Sequence, residues 1–345
     1  MTLGMYSKSC VGECRGSSCE KKASRSFMSK SYNFFTIRYK PDFAWQDSIS
    51  AQHNYLMRET CLMEFGASTW LWTSPFTSNQ IALLEKIAAQ GFDFVEIPVE
   101  AAEHISVAQL KPVLARLGLD VVICTAVTGE RNLSSDDAAI RKNALQYFES
   151  CIALAAGLGA SCVVGPLYAS VGKARLATEA LRQAEWERSV AGLSQLADTA
   201  SLHGIHLGIE PLNRFETDMV NNVDDALRMV QQVNSPWLGI SFDTFHMNIE
   251  ETSFRFAVER AGERLVHVQV SDSHRGVPGD GNSDWAGLRE GLKAIGYNGK
   301  IGIESFSPDA SSLAEAVCIW RRFAENQDEF ASKGLAFLRG WWSEV

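Results

Sequence analysis

Between Glu64 and the C-terminus, short apolar runs alternate with amphipathic stretches eight times over, and this alternation constrains the fold more than any other feature of the chain. The runs are Glu64–Trp70, Phe92–Pro98, Asp120–Thr125, Ser161–Gly165, Ile205–Glu210, Leu238–Asp243, Leu265–Ser271 and Lys300–Glu304. The stretches between them carry helix punctuation. Ser78 opens an Ile81, Leu84, Ile87 stripe closed by Gly91, and Ser106 opens another closed by Gly118. Asn222 precedes Asp224 and Asp225, acids suited to a helix N-terminus, and a stripe continues through Leu227 and Val230. The longest helical stretches run over 136–158 and 178–203. Strands separated by helices imply a parallel sheet. Eight such units predict an α/β chain of the (β/α)8 TIM-barrel class, one domain over residues 63–345. An open doubly wound sheet is the alternative, but no Gly-rich dinucleotide fingerprint follows the first strand.

Residues 1–62 stand apart. Between Lys8 and Lys40 the basic residues Lys8, Arg15, Lys21, Lys22, Arg25, Lys30, Arg38 and Lys40 face only Glu13 and Glu20, without helical or strand period, so the segment is expected to be a disordered extension. Its basic, Ser-containing composition also fits an organellar targeting segment, and MEFGAS from Met63 reads equally as a natural start after an upstream addition. Cys10, Cys14 and Cys19 lie in this head without the paired spacing of a zinc site. Cys61, Cys124, Cys151, Cys162 and Cys318 are scattered singly through apolar segments, as reduced core cysteines are, which with the absence of a membrane-length apolar run predicts a cytoplasmic protein. A net charge of −9 argues against a nucleic-acid partner, which calls for a basic face, and favours a small-molecule substrate.

In a barrel of this class the chemistry sits where the strands end at their carboxyl side. Glu210, Asp243 and Glu304 each end an apolar run. Alternation places Gly208 beneath Glu210, Ser241 beneath Asp243 and Gly302 beneath Glu304, all small enough for a barrel interior, while Ile209, Phe242 and Ile303 face the helices. The seventh run presents Gln269 near the rim and His267 a layer deeper, either of which could ligate. One acid at a strand end can simply cap the next helix. Three in one pocket repel and raise one another's pKa unless a divalent cation joins them. Oxygen ligands favour Mn²⁺ or Mg²⁺, then Co²⁺, over zinc. Trp70 and Trp72 are candidate walls for the apolar face of a substrate.

Three motifs carry a resemblance: IEPLNRFE over 209–216, FDTFHMNIEE over 242–251, and HVQVSDSHR over 267–275 followed by GVPGDG. They resemble the ketose 3-epimerases, the D-tagatose and D-psicose 3-epimerase group of the xylose isomerase-like barrels. The resemblance runs from Glu64 to the C-terminus and is strongest over 204–306. It implies one divalent metal on Glu210, Asp243 and Glu304, with Glu210 and Glu304 as the acid/base pair. It implies substrate contacts from Glu216, His246 and Arg275, with Glu96 as a further pocket-facing position, and a homodimer or homotetramer. The family's fourth ligand is usually histidine; here that position is Gln269, as in the related hydroxypyruvate isomerases, with His267 as the fallback.

The implied reaction takes a proton from C3 of a free ketose, of the D-tagatose/D-sorbose or D-fructose/D-psicose type, through an enediolate, and returns it on the other face. A hydroxypyruvate- or inosose-type isomerase would use the same metal site, and Gln269 favours it; the DTFHMNIEE run and Arg275 favour epimerisation. An endonuclease IV-like barrel needs more histidines than the seven present, and a non-catalytic sugar-binding barrel would have lost a ligand carboxylate.

Overall fold

The computed structural model describes residues 63–344. The extension over 1–62, with Cys10, Cys14, Cys19 and Cys61, lies outside the described residues. The strands are β1 Glu64–Ser68, β2 Phe94–Val99, β3 Asp120–Thr125, β4 Cys162–Gly165, β5 His206–Ile209, β6 Leu238–Asp243, β7 Leu265–Val270 and β8 Lys300–Ile303. Each pairs in parallel with the next, and β8 closes onto β1 through Phe65↔Ile301 and Gly66↔Gly302. The described residues thus form a closed eight-stranded barrel. Around it lie α1 Ile81–Gln90, α2 Val107–Leu117, α3 Ala138–Leu158, α4 Glu179–His203, α5 Val223–Val233, α6 Thr244–Glu250, α7 Phe254–Ala261, α8 Trp285–Ala294, α9 Ser311–Ala316 and α10 Gln327–Ser343. Among the described residues no helix is long and apolar enough to cross a membrane.

The helix boundaries follow the sequence punctuation. Gly91 and Gly118 end α1 and α2 with φ of 91° and 66°, a left-handed conformation in which a β-carbon is strained. Thr178 and Asn222 cap α4 and α5 through their side chains. Ser78 is an exception: α1 begins after Gln80, and the Ser78 hydroxyl binds the loop at Ser106 instead. The runs read as Glu64–Trp70 and Lys300–Glu304 end early, at Ser68 and Ile303, because the chain there leaves the ladder for the loops of the barrel mouth.

Alternation divides the core in two. Phe94, Val122, Cys124, Cys162 and Val164 fill the barrel interior as one small cluster. The opposite faces of the same strands, with Val95, Ile123, Val163, Ile209, Phe242 and Ile303, join the helices in the main core. The Phe94 ring occupies the space a β-carbon on Gly66 would need, so the closed end of the barrel is solid and the open end carries the polar groups.

Candidate active site at the barrel mouth

Glu210, Asp243, Gln269 and Glu304 converge at the carboxyl ends of β5 to β8, and all are buried. Asp243 closes β6 and its Oδ1 caps α6 by accepting the Phe245 N–H at 2.9 Å, which leaves Oδ2 for Arg275. Gln269 stands beside Asp243 and Gly302 in the sheet register. Tyr168, after β4, donates its hydroxyl to the Glu210 carbonyl at 2.9 Å and anchors the chain where β5 ends. One cavity is lined by Glu210, Glu216, His246, Gln269, Arg275 and Glu304 on its polar side. Trp70, Val127, Phe306, Leu313 and Val317 line its apolar side.

Arg275 occupies the centre of this group. Its Nη1 bonds Asp243 Oδ2, and lies 3.1 Å from Glu304 Oε2. Its guanidinium stacks over Phe245, 4.2 Å from the ring centroid. The residue sits at φ 64° on a turn tied together by Asp272, whose carboxylate accepts the N–H groups of Ser273, Gly279 and Ser283 and the indole of Trp285. Burial alone would lower the Arg275 pKa, but Asp243 and Glu304 outweigh it and hold it charged.

One guanidinium does not balance three carboxylates. Burial pushes Glu210 well above the ordinary carboxylate range, and the charges of Glu304 and Asp243 push it further. Glu304 is raised for the same reasons, burial first, against the opposing pull of Arg275. Protonated glutamic acids and a desolvated arginine are the metal-free answer to this charge; a divalent cation is the other.

The donor set fits such an ion. Among the described residues, Glu210, Asp243 and His246 can bring one ligand atom each within 4.8 Å of one another. Both ring nitrogens of His246 are engaged by neighbouring side chains or backbone. Its Nδ1 accepts the backbone N–H of Asn213 at 3.1 Å and lies 2.9 Å from the Asn213 side-chain nitrogen. Burial and then Arg275 lower the His246 pKa and keep the ring neutral. Its Nε2 lies 3.5 Å from Glu210 Oε1 and 3.2 Å from Arg275 Nη2. The Gln269 amide nitrogen donates to Glu304 Oε1 at 2.8 Å and to Glu96 Oε2 at 2.9 Å, which leaves the amide oxygen as its free donor atom. The described residues thus gather a carboxylate-rich group able to hold a divalent cation, with the Gln269 oxygen as a neutral donor beside it.

Not every residue singled out in the sequence reaches the cavity. Trp70 lines it, its ring tilted against Phe306, but Trp72 lies beyond a 3₁₀ turn over Thr69–Leu71 that breaks the strand alternation, and its indole donates instead to Asp328 on α10. Glu96 does not line the cavity either. It is fully buried a layer below, with His267, whose Nε2 lies 2.7 Å from Glu96 Oε1. Glu216 reaches the cavity and is held by the Asn213 amide at 2.9 Å. Asn213 lies inside the IEPLNRFE motif, while Tyr168, Phe306, Leu313 and Val317 carry no sequence pattern that marks them.

The sequence profile of the xylose isomerase-like TIM barrels matches residues 84–340. The chain is 30% identical over 280 residues to an L-ribulose 3-epimerase of Mesorhizobium japonicum, covering 80% of this chain and 93% of that protein. It is 31% identical over 270 residues to a D-psicose 3-epimerase of Ruminiclostridium cellulolyticum, covering 77% and 92%. The crystal structure of a D-allulose 3-epimerase from a Methylomonas species, in complex with D-allulose, superposes with a TM-score of 0.76 at 31% identity, covering 81% of this chain and 96% of that one.

Proposed function

Because the chain belongs to the xylose isomerase-like TIM barrels, and within them to the ketose 3-epimerase group, we propose that it is a metal-dependent epimerase interconverting the C3 epimers of free ketoses, of the D-tagatose/D-sorbose and D-fructose/D-psicose type. The observation that carries this reading is the pair Glu210 and Glu304. They reach one cavity from β5 and β8, so a sugar bound there meets a carboxyl from each of two strand ends, and in the metal-free protein burial and mutual repulsion raise both above the ordinary carboxylate range.

A divalent ion held by Glu210, Asp243, Glu304 and the Gln269 oxygen would supply Lewis-acid polarisation of the C2 carbonyl and acidify the C3 proton. The chain's own groups do the rest. One glutamate removes the C3 proton, and the other, on the opposite wall, returns one to the far face. His246, held through Nδ1 by Asn213, presents Nε2 for a hydrogen bond with a sugar oxygen beside Glu210. Arg275 and Glu216 orient the carbonyl end, and Trp70 and Phe306 cover an apolar face of the sugar. The enzyme is expected to work as a homodimer or homotetramer.

An isomerase of the hydroxypyruvate type is the second reading, favoured by the amide at Gln269. Incubation of Mn²⁺-loaded protein with a ketose panel in D2O separates the two. Deuterium at C3 together with a new C3 epimer supports epimerisation, deuterium confined to C1 or C2 moves the chain to the isomerases, and no exchange with any sugar despite bound Mn²⁺ rejects both.

A further inference from the structure

Below the cavity lies a buried polar group that no part of the proposed reaction uses. Glu96 is fully buried on β2, with its two oxygens assigned separately: Oε1 to His267 Nε2 at 2.7 Å, Oε2 to Gln269 Nε2 at 2.9 Å. Cys124 Sγ lies 3.6 Å from Oε2. A carboxylate in an apolar barrel is costly unless its oxygens are engaged, and these are. The fold also makes room for it, since a β-carbon on Gly302 would stand 1.8 Å from Glu96 Oε1. Among the described residues the His267 Nδ1 has no hydrogen-bond partner, so the polar contact that ring makes there is the one that pins Glu96.

The consequence falls on Gln269. A glutamine amide presents an oxygen or a nitrogen to its neighbours with nearly equal ease, and only the oxygen can bind a cation. A histidine at this position would need no such choice. Two carboxylates, Glu96 and Glu304, take both amide hydrogens, which turns the oxygen away from them. Glu304 alone cannot enforce this once a cation draws its charge. We infer that Glu96, held by His267, is a positioning residue that fixes the amide orientation of Gln269 so that its oxygen, not its nitrogen, faces the metal site.

The inference rests on Gln269 being a ligand, and a set of variants tests the two separately, with Mn²⁺ affinity read from the electron paramagnetic resonance signal of free Mn²⁺. Gln269→Leu should weaken Mn²⁺ binding by at least about tenfold; unchanged affinity would reject Gln269 as a ligand. Glu96→Met should cost about tenfold in the native background and nothing further on top of Gln269→Leu, because the orientation it enforces is then gone. Glu96→Gln should stay within about threefold of the native affinity, since an amide oxygen at 96 still accepts from Gln269 although the charge is lost. An equal loss from Glu96→Met in both backgrounds, no loss in either, or a tenfold loss from Glu96→Gln assigns the effect to charge or to nothing and overturns the inference. If Glu96→Met does not fold, Glu96→Ala, which leaves space instead of filling it, takes its place in both backgrounds with the same outcomes.

Discussion

Two clusters of charge stand on the same side of the barrel, and they are built to opposite rules. At the mouth, Glu210, Asp243 and Glu304 share the single cation Arg275. At the rim, Lys173 and Arg175 meet Glu185 and Asp218, two charges against two, with Lys173 Nζ 2.9 Å from Glu185 and 2.5 Å from Asp218. Arg175 closes the square at 2.8 Å to Glu185 and 3.1 Å to Asp218. Although burial pushes the Asp218 pKa up, Lys173 and then Arg175 hold it below the ordinary value, whereas burial and mutual repulsion drive Glu210 and Glu304 above theirs. The balanced square stitches the loop after β4 to the loop after β5, where Gly172 N–H donates to the Glu216 carbonyl. It is finished as it stands. The mouth carries surplus negative charge in the fold, which is the expected state of a site that completes itself with a cation and works by moving protons.

The largest test of this difference is Glu304→Gln. Removing half of the acid/base pair should lower kcat for ketose epimerisation by about 10³-fold, while the metal-free fold, relieved of one charge, melts no lower than the native protein. Retained turnover would take Glu304 out of the pair. Lys173→Met should do the reverse. Breaking a nearly buried balanced cluster should cost about 3 kcal/mol in urea unfolding, with kcat changed by no more than about threefold in the metal-loaded enzyme. A collapse of kcat with stability intact would show the rim to be part of the chemistry. Metal removal comes next. Mn²⁺ at about a hundred times its dissociation constant should stabilise the native protein by about 2.7 kcal/mol, and should stabilise Asp243→Asn far less, at the same concentration. Equal stabilisation of both would place the ion elsewhere.

The mouth was legible in the sequence because strand alternation leaves a signature: an acid after an apolar run with a small residue two places before it, as in Gly208–Glu210, Ser241–Asp243 and Gly302–Glu304. The barrel was legible for the same reason, together with Gly91 and Gly118 at helix ends. What failed to read depends on distances across the chain. Trp72 is shifted out of the cavity by a three-residue 3₁₀ turn that no periodicity announces. The depth of Glu96 is set by the stagger between strands, visible only once Gln269 is seen beside Gly302. The His246 ring is held by Asn213, 33 positions away in the chain, and the apolar wall of Leu313 and Val317 comes from the six-residue helix α9 and its C-cap, after β8. The rim square escaped altogether, because Lys173, Arg175, Glu185 and Asp218 look in sequence like ordinary solvated charges.

The smallest expected effect separates the two clusters by the sign of their pH dependence in the metal-free protein. Asp218 has a depressed folded pKa, so its contribution to stability is present above the ordinary value of 3.8 and is lost as the pH falls through the folded one. Glu210 and Glu304 have raised folded values, so the fold favours their protonated forms. Their contribution is full below the ordinary value of 4.5 and is lost as the pH climbs through the folded values. The metal-free melting temperature should therefore decline on both sides of a maximum. Asp218→Asn should flatten the acid limb only, and Glu210→Gln or Glu304→Gln the alkaline limb only. Saturating Mn²⁺ should abolish the alkaline decline in the native protein, because binding displaces the protons that the carboxyls hold and its affinity rises with pH. An alkaline limb that survives both glutamate substitutions and Mn²⁺ would mean that the surplus charge at the mouth is not what limits the fold there, and the contrast between the two clusters would rest on chemistry alone.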